Sequence, residues 1–108
     1  ILSKYMQLPT IMFDEIDTGV SGEVANKMAK IMQQMSKSMQ VFSITHLPQI
    51  AAKGKQHFKV YKQDINEVTT TQLKQLQTEE RIQEIAQMLS GAKISDSALA
   101  NAKELLQL

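Results

Sequence analysis

Residues 10–22, Thr-Ile-Met-Phe-Asp-Glu-Ile-Asp-Thr-Gly-Val-Ser-Gly, restrict what this chain can fold into more than any other stretch. An apolar run stops at the acidic pair Asp14-Glu15, and Gly19 and Gly22 then break the chain. A run apolar on both faces suits a strand over 10–14 in a parallel sheet covered from both sides, although its shortness alone does not exclude a buried helix. A second such run, Val41-Phe42-Ser43-Ile44-Thr45, ends in His46, thirty-one residues after Glu15. Between the two, Val24, Met28, Ile31, Met32, Met35 and Met39 recur at three- and four-residue steps, which predicts an amphipathic helix over roughly 22–38. Ser21 is placed to cap it, with Glu23 in its first turn. A methionine-rich stripe can serve as a pliable partner surface, but this periodicity favours a helix covering the sheet.

Past His46 the pattern changes. Residues 47–52, Leu-Pro-Gln-Ile-Ala-Ala, read as a short helical turn. Residues 56–62 then alternate, with Phe58 and Val60 opposite His57, Lys59 and Tyr61. A turn near Asp64-Ile65-Asn66 leads into a second strand over 68–76, where Thr69, Thr70 and Thr71 favour extended backbone. These two segments predict an antiparallel hairpin at a sheet edge. Thr78 is read as the cap of a helix with Glu79-Glu80 in its first turn and Ile82, Ile85, Ala86 and Leu89 as its buried stripe. Ser90-Gly91 stops it, and a last helix over about 96–106 buries Leu99, Ala102, Leu105 and Leu106. The class is α/β.

With 108 residues, the chain has room for one small domain with a modest core. A net charge of +1 exerts no global pull toward nucleic acid or membrane. The absence of cysteine rules out disulfides and thiolate metal sites, which fits a reducing cytoplasm. No apolar stretch approaches the roughly 18–20 residues that span a bilayer. The opening Ile1-Leu2-Ser3-Lys4-Tyr5-Met6 reads as the tail of a helix, ended at Leu8-Pro9, so residues 1–108 are expected to be one partial domain of something longer.

The polar residues at the two strand ends carry the chemistry. A carboxylate at the end of a buried strand can hold Mg²⁺, a hard cation that prefers oxygen ligands. Its neighbour can orient or deprotonate a water attacking a γ-phosphate. Alternation points adjacent side chains apart, so Asp14 and Glu15 have separate tasks. An imidazole at His46 can donate to the phosphate or to that water. Each signal alone is also what an ordinary solvated strand end looks like. Together, two short strands joined by one helix put polar groups at the C-terminal edge where open parallel sheets bind ligands.

Thr10 to Gly22 resembles the Walker B and D-loop region of ABC/SMC-type ATPase heads, and Ser43-Ile44-Thr45-His46 resembles their switch-histidine loop. More narrowly, residues 14–22 together with Thr45-His46-Leu47-Pro48-Gln49-Ile50-Ala51-Ala52 are similar to the RecN family, bacterial SMC-like proteins of DNA double-strand break repair. The similarity continues through the hairpin into 84–91 and 102–106. It implies the C-terminal lobe of a P-loop NTPase head: short parallel strands, flanking helices and an edge hairpin. By that resemblance Asp14 supports Mg²⁺, Glu15 polarises the attacking water and His46 contacts the γ-phosphate of ATP. Asp17, Thr18, Gly19, Ser21 and Gly22 would then lie in the D-loop that crosses to a partner head. Ser21 stands where many ABC and SMC heads have an aspartate, so no D-loop carboxylate contact is carried over there.

The sequence contains no Gly-x-x-x-x-Gly-Lys-Ser/Thr and no signature motif in the expected place; Leu89-Ser90-Gly91-Ala92 reads as a helix stop. In the family these elements lie upstream, with the coiled coil. The chain alone is therefore expected to bind no ATP tightly and to hydrolyse none. Its expected partners are its own N-terminal ATPase lobe, a second head in an ATP sandwich and, through the parent protein, DNA, with no membrane. An uncovered sheet edge and apolar patch should also make it self-associate. Lys53, Lys55, Lys59 and Lys62 could meet a phosphate backbone, but a solvated edge is the favoured reading; His57 is read as facing out, with no role. Two other readings remain: a non-catalytic α/β interaction module with a structural acidic pair, and the head of a different SMC/ABC ATPase.

Overall fold

The computed structural model describes residues 9–14, 19, 21–91 and 93–108. Strand β1 (Thr10–Asp14) pairs in parallel with β2 (Gln40–Ile44), in the register Thr10 opposite Gln40 through Asp14 opposite Ile44. Helix α1 (Gly22–Met35) makes the crossover between them. Ser21 caps it as expected, its Oγ accepting from the Val24 N–H at 3.3 Å. Helix α1 ends at Met35, and the chain reaches Met39 through turns.

The face that α1 buries differs from the expected stripe. Ala25, Ala29 and Met32 are buried, with Met28 half-buried beside them, whereas Val24 and Ile31 are 44% and 58% exposed. Small residues rather than large ones therefore mark much of its buried face, Ala29 sharing a cluster with the sheet residues Phe13 and Val41. Ala29 and Met32 pack with Phe13, Val41, Leu47 and Ile50 in one cluster.

Only one face of the β1–β2 pair is covered among the described residues. Phe13 and Val41 pack inward, while Met12, Phe42 and Ile44 are 63%, 47% and 49% exposed. The expectation of a strand covered on both sides is corrected to that extent.

Helix α2 (Pro48–Ala51) is a single turn joining two cores. Ile50 belongs to the α1 cluster. Ala51 and Ala52 belong to a second cluster, built by Ile82, Ile85 and Ala86 of α3 (Thr78–Ser90) with Ala98 and Ala102 of α4 (Asp96–Leu106). Leu99, Leu105 and Leu106 pack around its rim, while Leu89 is 37% exposed. Gln77, not Thr78, caps α3: its side chain meets the Glu80 N–H while Glu80 Oε1 accepts from the Gln77 N–H at 3.1 Å. Gly91 ends α3 at φ 81°, as the helix-stop reading requires.

Between α2 and α3, β3 (Phe58–Ile65) and β4 (Val68–Gln75) form the expected antiparallel hairpin. Its turn lies at Asn66 and Glu67, both at positive φ (50° and 66°), one step beyond the expected place. This is the two-residue turn whose twist matches a hairpin, and Asn is suited to it. The pleat is inverted relative to the sequence reading. Phe58, Val60 and Leu73 are 48%, 66% and 67% exposed, and the polar set His57 and Lys59 turns toward α3.

Candidate functional site

The C-terminal ends of β1 and β2 form the edge to which the sequence assigns its chemistry. Asp14 ends β1 directly opposite Ile44, and adjacent strands lie about 4.8 Å apart, so Thr45 and His46 leave the sheet beside Asp14. Asp14 and His46 are both exposed. The Thr45 hydroxyl accepts from the Leu47 N–H at 3.0 Å, closing the bend that holds His46 between strand and helix. Pro48 at the first turn of α2 then starts the helix without an unsatisfied N–H.

The start of α1 reaches the same region. A methyl group on Gly22 would stand 3.3 Å from Gln49 Nε2, so the loop that enters α1 and the helix that follows His46 are in close contact. Gly19 has φ 81°, a backbone conformation that glycine tolerates, with open space around it. The structure thus brings Asp14, Ser21, Gly22 and the His46–Gln49 segment to one end of the parallel pair. Glu15, Asp17 and Thr18, assigned by sequence to catalysis and to the D-loop, lie outside the described residues.

Among the described residues no three acidic or imidazole side chains gather into a metal cage. The available donor, Asp14, nevertheless fits Mg²⁺ of the substrate-bound kind, which takes one or two carboxylates and completes its shell with phosphate oxygens and water.

Sequence reading missed a polar cluster between the hairpin and α3. Lys59 Nζ meets Glu84 Oε2 at 2.8 Å, so this lysine is engaged and does not belong to a free basic edge. Arg81 Nη2 donates to the carbonyls of Ala51, Ala52 and Gly54 at 3.1, 3.4 and 2.9 Å. His57, expected to face out, is half-buried here with Nδ1 unpartnered. Burial and the Arg81 charge hold its pKa below the ordinary imidazole value; Glu84 opposes them and Lys59 adds to them. The only sequence signal for this cluster was the helical spacing of Arg81 and Glu84, which by itself denotes a solvated face.

No family model matches the chain. Over nearly its whole length it is similar to DNA repair protein RecN from several bacteria. It is 40% identical to that of Haemophilus influenzae over 108 residues, 100% of this chain and 19% of the relative. For Vibrio cholerae the identity is 42% over 106 residues, 98% of this chain and 19% of the relative. For Rickettsia bellii it is 45% over 105 residues, 97% and 19%. The chain therefore spans about a fifth of these relatives, in their C-terminal part. A solved structure from work on ATP-driven dimerization and DNA-stimulated activation of SMC ATPases superimposes with a TM-score of 0.61 at 18% identity. It covers 85% of this chain and 54% of that one. The fold is that of an SMC-type ATPase head, in its C-terminal lobe.

Proposed function

We propose that this chain, similar throughout to the C-terminal part of RecN, supplies one half of a composite ATP-hydrolysing site to a RecN-like DNA repair protein. One observation supports the reading: the parallel register that sets Asp14 opposite Ile44 puts Asp14 and the residues leading to His46 at the same sheet edge. At such an edge an open parallel sheet binds its ligand. Asp14 would hold Mg²⁺, which would supply positive charge to offset the negative charge that builds up on the phosphate. Glu15 accepts a hydrogen bond from the attacking water and draws its proton away. His46 donates from its ring to a γ-phosphate oxygen, steadying the charge that develops as the bond to the leaving group breaks. Asp17, Thr18, Gly19, Ser21 and Gly22 form the loop that faces a second head.

An upstream lobe brings the phosphate-binding loop, and DNA is engaged by the parent protein, in the bacterial cytoplasm. The test is Mg²⁺-ATP turnover after mixing this chain with the upstream half of its gene product, alongside Glu15→Gln and His46→Ala. Turnover in the mixture alone, lost in both variants, is expected. An associated but inactive mixture, or turnover indifferent to both substitutions, would favour a non-catalytic interaction module.

A further inference from the structure

We propose that Arg81 is a positioning residue for His46: by holding the C-terminal end of α2 it fixes the arrangement of the whole loop from His46 to Gly54. The inference rests on the reading of His46 just given. Helix α2 has four residues, and its N-cap Leu47 contributes no side-chain hydrogen bond. A single turn is not stable by itself, because the entropy of fixing it is repaid by very few hydrogen bonds. Backbone N–H groups of Ala52, Lys53 and Gly54 meet the carbonyls of Pro48, Ile50 and Ala51. One nitrogen of Arg81, at the start of α3, adds a tie to the end of the turn and the stretch just beyond it: Nη2 shares its two hydrogens among the carbonyls of Ala51, Ala52 and Gly54, all within 3.4 Å and 27–30 residues away in sequence. A cation at a helix C-terminus also meets the negative end of its dipole.

The arrangement is not that of a surface arginine seeking an acid. Glu84, three residues further along α3, pairs with Lys59, while Arg81 donates to main-chain carbonyls. Burial works against the charged guanidinium, and its Nε is buried without a partner. The side chain is therefore held where ordinary solvation would not hold it.

At the other end of the loop, the Thr45 hydroxyl fixes Leu47. His46 sits two residues before Pro48, so any rotation of α2 carries the imidazole with it. Ile50 and Ala52 lie in different cores, and Arg81 is the polar tie that sets the orientation of the turn between them.

The experiment is steady-state kinetics of the complete head, this chain with its upstream lobe, with sites counted by nucleotide binding. In Arg81→Ala, kcat is expected to fall roughly ten- to a hundredfold, the scale of a misplaced catalytic group, with KM for ATP changed less than about twofold. The double variant Arg81→Ala/His46→Ala should be no slower than His46→Ala, because one residue acts through the other. Arg81→Lys, whose ammonium can share its hydrogens among the carbonyls, should recover most of the rate, and Arg81→Gln should not. If Arg81→Ala does not assemble, the Lys and Gln variants carry the comparison. Full activity of the Gln variant, or of Arg81→Ala, while His46→Ala is impaired overturns the positioning role alone, as does a multiplicative loss in the double variant. Indifference to His46→Ala instead removes the reading of the site, and the role of Arg81 with it.

Discussion

Ile85→Ala should be among the most damaging single truncations in the chain. Ile85 has 0% of its surface exposed and is the largest fully buried side chain among the described residues. Removing three carbon groups forfeits about 2.4 kcal/mol at about 0.8 kcal/mol per buried CH₂. A cavity term adds to this, and here the neighbours decide its size. Four of the five other buried members of the cluster are alanines: Ala52, Ala86, Ala98 and Ala102. An alanine has no rotamer with which to swing into a void, so relaxation is left to Ile82 and the rim side chains and closes the cavity only in part. The loss should then fall near 3–4 kcal/mol, in the upper part of the range of about 2–5 for such truncations. That is a large share of the ~5–15 kcal/mol that stabilises an ordinary domain. In a urea titration followed by far-ultraviolet circular dichroism, with a slope of about 1.5 kcal/mol per molar, the midpoint should drop by about 2–2.7 M. Ile31→Ala, at a side chain 58% exposed, serves as the control and should move it by less than about 0.3 M. Equal shifts for the two variants would refute the argument, since the α3–α4 cleft would then close around the deletion or not be packed as described.

Two further predictions concern the hairpin cluster and the helix stop. The half-buried His57 has a pKa below its ordinary 6.5, from burial and Arg81 first, so as pH falls below 6.5 the unfolded chain takes up a proton that the folded chain refuses. Stability should therefore fall from about pH 6.5 down to the lower folded-state value and level off beyond it; His57→Gln should flatten that slope by up to one proton, read from urea midpoints at stepped pH. Identical slopes in both proteins would show that His57 titrates as it does in water. Gly91→Ala adds a methyl group that meets nothing within 4 Å, so any cost comes from the backbone at φ 81° and ψ −138°. The expected loss is about 1–3 kcal/mol, a fall of several degrees in the melting temperature; an unchanged melt would mean that this residue relaxes to ordinary helical or extended geometry.

The parallel strands, the crossover helix, the hairpin and the last two helices were legible because each rests on a local pattern: apolar runs, helical spacing, capping residues and glycine stops. What escaped was which face each element turns inward. On α1 hydrophobicity pointed to Val24 and Ile31, yet the buried positions are Ala25 and Ala29, set by the elements that the helix packs against. On β3 Phe58 and Val60 were read as one apolar face, but Lys59 and Glu84 make an ion pair that turns the polar side inward. Neither choice can be read from one segment, since each depends on a partner element distant in sequence. Arg81 is the clearest case: its acceptors are main-chain carbonyls, and carbonyls leave no mark on a sequence.

The chemistry proposed for the strand ends rests instead on the residue types themselves. Those residue types also limit what this lobe can do by itself. Asp14 and Glu15 repel a polyphosphate until a cation lies between them and it, and a single imidazole at His46 offers at most one or two donors to a triphosphate tail. Binding must therefore draw on backbone N–H groups and a lysine of the kind a phosphate loop provides, as the split-site reading requires. Under the proposed split site, the exposed face of Met12, Phe42 and Ile44 would have a part in assembly. A lobe docked there would bury apolar surface and bring its phosphate-binding groups toward the edge that carries Asp14, so association of the halves and assembly of the site would be one event.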